Sequence, residues 1–312
     1  MKNIGNKGLF AGLILCLFLI GCKTVDFQYV SSLEEQLFPP ETALVSEPVT
    51  EAVTIAEEEQ EPIQEQRGEE IAEEIPLESM VARVLPQSAP EKIAGRRYAY
   101  LTFDDGPSPN TAKILDILSE LELKGTFFLI GDHILNNEEM DFEETVAIVQ
   151  RIFEEGHYIG LHSMSHNARR LYWTAGSHET FYNEMNELQK LIYDITDGFL
   201  TSLYRAPYGT HGMFTRDHIR TMAASGLKAW DWHVDTEDWK IETVDAIMNK
   251  VRRDLRVYAR PPANVVILFH EHDITLEALP KVVEYFMELD YSFLPYHPDH
   301  HFQINLLFNP DI

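Results

Sequence analysis

Tyr98-Ala99-Tyr100-Leu101-Thr102-Phe103-Asp104-Asp105-Gly106-Pro107 is an uncharged, β-prone run that ends abruptly in two carboxylates and a turn. Its first six residues suit a strand buried on both faces, and Gly-Pro then redirects the chain. Thr111 to Glu122 follows, with Ile114, Leu115, Leu118 and Leu121 on one helical face. The alternation continues outward. Strands are predicted at Thr126 to Ile130, Tyr158 to Leu161, Thr201 to Arg205, Leu227 to Val234 and Val265 to Phe269, with a short one at Tyr291 to Leu294. Helices are predicted at Phe142 to Glu155, Glu179 to Ile195, Thr215 to Ala224, Val244 to Leu255 and Leu276 to Leu289. Strands alternating with amphipathic helices imply parallel pairing through helical crossovers. The fold class is therefore α/β, a single distorted (β/α) barrel of six to seven parallel strands over residues 96–312.

The polar residues choose one kind of place. Asp104 and Asp105 follow the first strand, and His162 and His166 the third. Arg205 ends the fourth, Asp235 and Asp238 follow the fifth, and His270 ends the sixth. In a parallel barrel these ends share one face, where active sites form. Two adjacent carboxylates repel one another unless a cation or an arginine offsets them; read alone, the pair also suits a helix N-cap. His162 and His166 have i,i+4 spacing, which on one turn of helix would aim both imidazoles at one metal. His297 and His301 repeat that spacing in a polar tail with no strand end beside them, and are not taken as ligands. The only cysteines, Cys16 and Cys22, lie at the N-terminus, so any metal in the barrel must be held by His, Asp or Glu.

The chain carries 25 Lys+Arg against 51 Asp+Glu, a net charge of −26. That argues against nucleic acid as a partner, since phosphates need a basic face. Half of this excess falls in residues 23–95, which hold 17 acidic and 4 basic residues. Such a composition buries too little apolar surface to offset the entropy of ordering, so the segment is expected to be a disordered, solvated tether, with room for a short helix near Ile75 to Leu85. Before it, Lys2 and Lys7 precede the apolar run Leu9 to Ile20, too short to span a bilayer comfortably. Residues 1–22 are expected to be a signal peptide. Leu19-Ile20-Gly21-Cys22 resembles a bacterial lipobox, which implies lipidation at Cys22, export and anchorage to the membrane. The site of attachment would be the outer face of the cytoplasmic membrane, or the outer membrane of a Gram-negative cell.

Residues 98–296 resemble the polysaccharide deacetylase family, carbohydrate esterase family 4, whose shared unit is the NodB homology domain. The resemblance lies in Thr102-Phe103-Asp104-Asp105-Gly106-Pro107, His162 to His166, Arg205-Ala206-Pro207-Tyr208-Gly209, Asp235-Thr236-Glu237-Asp238-Trp239 and Leu268-Phe269-His270, in the family's order. It departs where the family commonly has Asp after the last histidine and this chain has Glu271. The resemblance implies hydrolytic removal of acetyl groups from an N-acetylated polysaccharide such as peptidoglycan, a chitin-like polymer or an exopolysaccharide. It implies one divalent metal, zinc best, cobalt or nickel alternatively, on Asp105, His162 and His166, activating a water. Asp104 would be the general base, oriented by Arg205, and His270 the general acid, paired with Asp238. The Tyr208 backbone N–H would stabilise the oxyanion, and Trp239 and Leu268 would line the acetyl pocket. Relatives that remove O-acetyl groups from xylan-like polymers use the same site. A wall-binding lipoprotein that had lost the chemistry is the other alternative, against which the intact Asp104 argues.

Overall fold

In a computed structural model of the chain the described residues are Leu85 and 87–312. The signal-like segment 1–22 with Cys22, and most of the acidic stretch with its expected helix, lie outside them. Eight strands form the sheet: β1 (Arg97–Gly106), β2 (Thr126–Leu129), β3 (Tyr158–Leu161), β4 (Leu203–Tyr204), β5 (Lys228–Ala229), β6 (Val234–Asp235), β7 (Asn264–His270) and β8 (Tyr291–Phe293). Every pairing is parallel, in the order β5-β4-β3-β2-β1-β7-β6, and the sheet curls into part of a barrel as the alternation predicts. β1 is long enough for three neighbours. Its first residues pair with β8, its last with β2, and its other edge runs along β7 from Tyr98↔Asn264 to Asp104↔His270.

Among the described residues seven α-helices cover the sheet: α1 (Thr111–Glu120), α2 (Gly131–Leu135), α3 (Phe142–Glu154), α4 (Ser177–Ile195), α5 (Arg216–Ser225), α6 (Val244–Leu255) and α7 (Asp273–Glu288). Each of the longer ones buries the stripe its periodicity announces, such as Ile114, Leu115 and Leu118 on α1. Local chemistry sets where they begin. Asp141 and Glu144 make a reciprocal capping box at α3, and the Thr243 hydroxyl accepts from Ala246 N at α6. Beneath the site, Phe103 stacks between Phe127 and Phe269 at centroid distances of 4.9 and 5.6 Å, which joins the three central strands.

One expectation is corrected. The strand read as Leu227 to Val234 is two strands at opposite ends of the sheet, β5 beside β4 and β6 beside β7. Trp230 to His233 crosses the gap between the two edges and pairs fully with neither. Its exposed backbone groups find other partners: Arg205 Nε donates to Trp230 O at 2.7 Å and Nη2 to Asp231 O at 3.2 Å, while His233 N donates to Val266 O at 2.9 Å. A buried carbonyl left unpaired would be costly, and that requirement is what a purely apolar reading of the segment overlooks.

The end of the acidic stretch is packed against the domain. Leu85 touches the core, Ile93 N donates to Tyr98 Oη at 2.6 Å, and His300 Nε2 bonds Pro90 O at 2.8 Å. The Lys92 ammonium lies 5.3 to 5.6 Å from the rings of Tyr98, Tyr100 and Phe302. The apolar and cationic members of this short piece rest on the surface of the domain. A chain beginning at Leu85 is expected to melt with the full-length protein. One beginning at Arg96 loses about 2 kcal/mol from these contacts, which lowers the midpoint by roughly 4–8 °C in a calorimetric scan.

Candidate active site

The residues singled out at strand ends come together. β1 delivers Asp104 and Asp105, but ordinary strand alternation would send neighbouring side chains to opposite faces. The structure avoids this with a register shift between Asp104 and Gly106 and a left-handed backbone at Asp105, φ 69°. Both carboxylates then reach His162 Nε2, Asp105 Oδ1 at 3.3 Å and Asp104 Oδ2 at 3.7 Å. His162 and His166 do not share a helical turn. They lie on a loop after β3, with left-handed Ser163 (φ 68°) and His166 (φ 49°), and this fold-back sets their ring centroids 5.0 Å apart. The i,i+4 spacing therefore predicted the convergence for the wrong backbone. Tyr208 (φ 66°) and Glu237 (φ 53°) are left-handed too, and such strained positions gather at functional sites.

Asp105, His162 and His166 offer one ligand atom each, all within 4.8 Å of one another. The donor set fits a divalent cation. His162 Nδ1 donates to Arg205 O at 2.8 Å, which leaves the Nε2 lone pair facing Asp105 Oδ1, a buried oxygen with no hydrogen-bond partner. Two lone pairs facing one another call for a positive charge between them. Burial opposes ionisation of Asp105, but the adjoining His162, His166 and His270 outweigh it and hold the carboxyl well below its usual range. Burial pushes His166 down to about 4, against the pull of Asp105, so its imidazole is neutral and able to ligate at ordinary pH.

Asp104 is buried, and its Oδ1 accepts from Arg205 Nη1 at 2.6 Å. Arg205 is wholly buried. It also donates to Thr102 Oγ1 at 2.9 Å, and its guanidinium carbon lies 4.1 Å from the Phe128 ring centre. Across the cleft, His270 Nδ1 donates to Asp238 Oδ1 at 2.9 Å. Asp238 Oδ2 accepts from His270 N at 2.8 Å and from Thr275 Oγ1 at 2.6 Å, so the ring and the strand end are fixed by one carboxylate. Burial lowers the His270 pKa, but the Asp238 hydrogen bond and the charges of Asp105, Asp238 and Asp104 raise it to about 9. Leu268 shares the inward face of β7 with His270, pairs with Thr102 and is buried. Tyr208 and Trp239 are both partly exposed at the rim. The Tyr208 ring lies 4.7 Å from His166, and its hydroxyl donates to His166 O at 3.1 Å. Ser163 and Ser165 are hydrogen-bonding neighbours: the Ser163 hydroxyl accepts from His166 N, and Ser165 bonds Glu184. His297 lies outside this group, its ring accepting from Asp299 N at 3.2 Å.

Some contributors escaped the sequence. Glu271 is one whose role was open. Its Oε2 accepts from Ser108 Oγ at 2.7 Å and from Thr111 Oγ1, and its carbonyl accepts from Asn110 Nδ2 at 3.1 Å. The side chain clamps the loop that follows Asp105, and it lies so close to Gly106 that a Cβ there would collide with it. Burial pushes its carboxyl up to about 7, against the Thr111 and Ser108 hydrogen bonds. Thr102 and Thr275 read as ordinary strand and helix residues. Glu184 carried a usable signal, because it falls within the buried stripe of Phe181, Met185 and Leu188 on α4.

The profile of the polysaccharide deacetylase family matches residues 91–230. The chain is 35% identical to the peptidoglycan-N-acetylglucosamine deacetylase of Bacillus cereus over 223 residues, 70% of this chain and 77% of that one. It is 36% identical to the putative polysaccharide deacetylase YheN of Bacillus subtilis over 202 residues, 64% of this chain and 67% of that one. Among solved structures, the polysaccharide deacetylase Bc1974 from Bacillus cereus aligns with a TM-score of 0.59 at 35% identity, covering 70% of this chain and all of that one. With the curled parallel sheet and the Asp-His-His cluster in place, these likenesses establish that the chain belongs to the polysaccharide deacetylase family, carbohydrate esterase family 4.

Proposed function

We propose that the protein hydrolyses the acetamido group of N-acetylglucosamine units in a polysaccharide, with peptidoglycan as the first candidate substrate. The observation that carries this is the orphaned Asp105 Oδ1 between two imidazoles, facing a buried acid–base pair, His270–Asp238. The name of the Bacillus cereus relative supports the choice of peptidoglycan. Asp105, His162 and His166 would hold the metal, with zinc best suited to two nitrogens and one carboxylate and cobalt or nickel able to replace it. When bound, it supplies Lewis acidity toward water and the acetyl carbonyl. Asp104 takes the proton from the attacking water, and Arg205 keeps this carboxylate ionised and aimed. The Tyr208 N–H donates to the oxygen that gains charge at the acetyl carbon. His270, bonded to Asp238 through Nδ1, gives the proton on Nε2 to the departing amine. Leu268 and Trp239 exclude water from the acetyl methyl.

Export and lipidation at Cys22 are part of the same proposal, resting on Leu19-Ile20-Gly21-Cys22 and the apolar run before it. A labelled fatty acid should be incorporated into the full-length protein in a bacterial host and lost in Cys22→Ala; equal labelling of both would refute lipidation at that residue.

Acetate release should be measured on peptidoglycan, chitin oligomers and acetylated xylan. The N-acetylated substrates should react, chelation should stop the reaction, and zinc or cobalt should restore it. Release from xylan alone would convert the assignment to O-acetyl esterase. In the same assay His162→Ala should lose metal and activity while His297→Ala keeps both.

The two neighbouring carboxylates should fail differently. Asp104→Asn is expected to keep its metal and lose roughly 100-fold or more in turnover, the scale of an absent general base. Asp105→Asn should bind metal weakly and recover part of its rate in excess zinc. The rate should rise as the base side deprotonates and fall as His270 loses its proton. Because the folded His270 pKa is raised, the active protonated form persists below it and is lost as pH rises through it. A bound cation offsets the Asp105 charge, so the falling limb should lie below the value of about 9 found for His270 without one. His270→Ala should flatten that limb. A parental rate in metal-loaded Asp104→Asn would refute the division of roles.

A further inference from the structure

We infer that Glu184, on α4 and outside every motif that carries the family resemblance, is a positioning residue for the metal ligand His166 and acts through Ser165; this rests on the metal site of the proposed function. The two histidine ligands are fixed in different ways. His162 is fixed through its ring, by the carbonyl of Arg205. His166 is fixed through its backbone, on a loop whose left-handed Ser163 and His166 leave it without helical hydrogen bonds.

Glu184 supplies the missing bonds. Its Oε2 accepts from Ser165 N at 2.9 Å, and its two oxygens accept from Ser165 Oγ at 2.9 and 2.8 Å. The residue directly before His166 is therefore tied at both backbone and side chain to a carboxylate on the buried face of a long helix. The Tyr208 hydroxyl holds the carbonyl of His166 on the other side. Together these bonds leave the imidazole little freedom to swing away from Asp105, whose Oδ1 lies 3.4 Å from His166 Nε2.

Packing does not explain the carboxylate. Glu184 is 4% exposed, in a stripe with Phe181, Met185 and Leu188, where an apolar side chain would bury more cheaply than an acid. Its cationic partner among the described residues, Arg170 at 3.3 Å, reaches in from a side chain that is 61% exposed. The acid is stabilised mainly by the loop it holds. Partners behind a metal ligand that fix its orientation typically change affinity by about 10- to 100-fold when removed.

The test uses the full-length protein stripped of metal and titrated with zinc against a chromophoric chelator, with the visible absorption of the cobalt form as a second readout. Glu184→Gln keeps the size but sets an amide against the Ser165 donors. It should weaken zinc binding by about 10-fold and alter the cobalt spectrum, and Glu184→Ala should weaken binding toward about 100-fold. Arg170→Ala should bind as the parent does. Turnover of Glu184→Gln should return at saturating zinc, and its metal-free melting midpoint should stay close to that of the parent. Parental zinc affinity in Glu184→Gln would overturn the inference. If Glu184→Ala does not fold, Ser165→Ala decides: weakened binding in a folded protein upholds the link, and parental binding overturns it. A parent protein that binds no metal at all would instead sink the deacetylase reading.

Discussion

The buried guanidinium of Arg205 is the interaction on which both fold and chemistry depend. One end of β4 hands it to the interior, where Trp230 O, Asp231 O, Thr102 Oγ1 and Asp104 Oδ1 all accept from it. Two of these bonds close the seam where the chain crosses from β5 to β6. Another sets the carboxylate proposed as base. A lysine could not do this, because the task needs a planar fork of donors and a face to lie on Phe128. Leaving a buried partner of such a pair uncompensated costs about 3–5 kcal/mol, so seam and base are held or lost together.

The second constraint is strain. Nine non-glycine residues have a left-handed backbone among the described residues, and five of them, Asp105, Ser163, His166, Tyr208 and Glu237, lie at the strand end and in the loops that build the cleft. Each such position costs on the order of 1–3 kcal/mol and persists only where its surroundings over-determine it. The stacked Phe103, Phe127 and Phe269 beneath the strand ends, and the clamps of Glu271 and Asp238 at their mouths, provide that determination.

How much the sequence told depends on the kind of signal. Period and burial gave the longer helices and most strands nearly to their ends, because apolar stripes are dictated by the same core that the structure shows, whereas the short Gly131–Leu135 helix has no stripe to announce it. The placement of polar residues after strands gave Asp104, Asp105, His162, His166, Arg205, Asp238 and His270, since parallel strands bring their C-terminal ends to one face. What failed was whatever depends on a backbone that the side-chain pattern does not encode. Leu227 to Val234 has the composition of a strand, but a closed seam needs it to break. His162 and His166 have helical spacing on a folded-back loop. Glu271 looks like a solvent acid until the loop it holds is seen against it, and Glu184 is marked only by its place in an apolar stripe.

The join between the acidic stretch and the domain carries a consequence for orientation. Lys92 and Ile93 rest on Tyr98, Tyr100 and Asn264, at the opening ends of β1 and β7, whereas the cleft lies at the closing ends of the same strands. Lys92 and Ile93 therefore meet the domain at the pole away from the chemistry. A pull along the chain bears first on that pole, and the stiff central strands stand between it and the ligand loops.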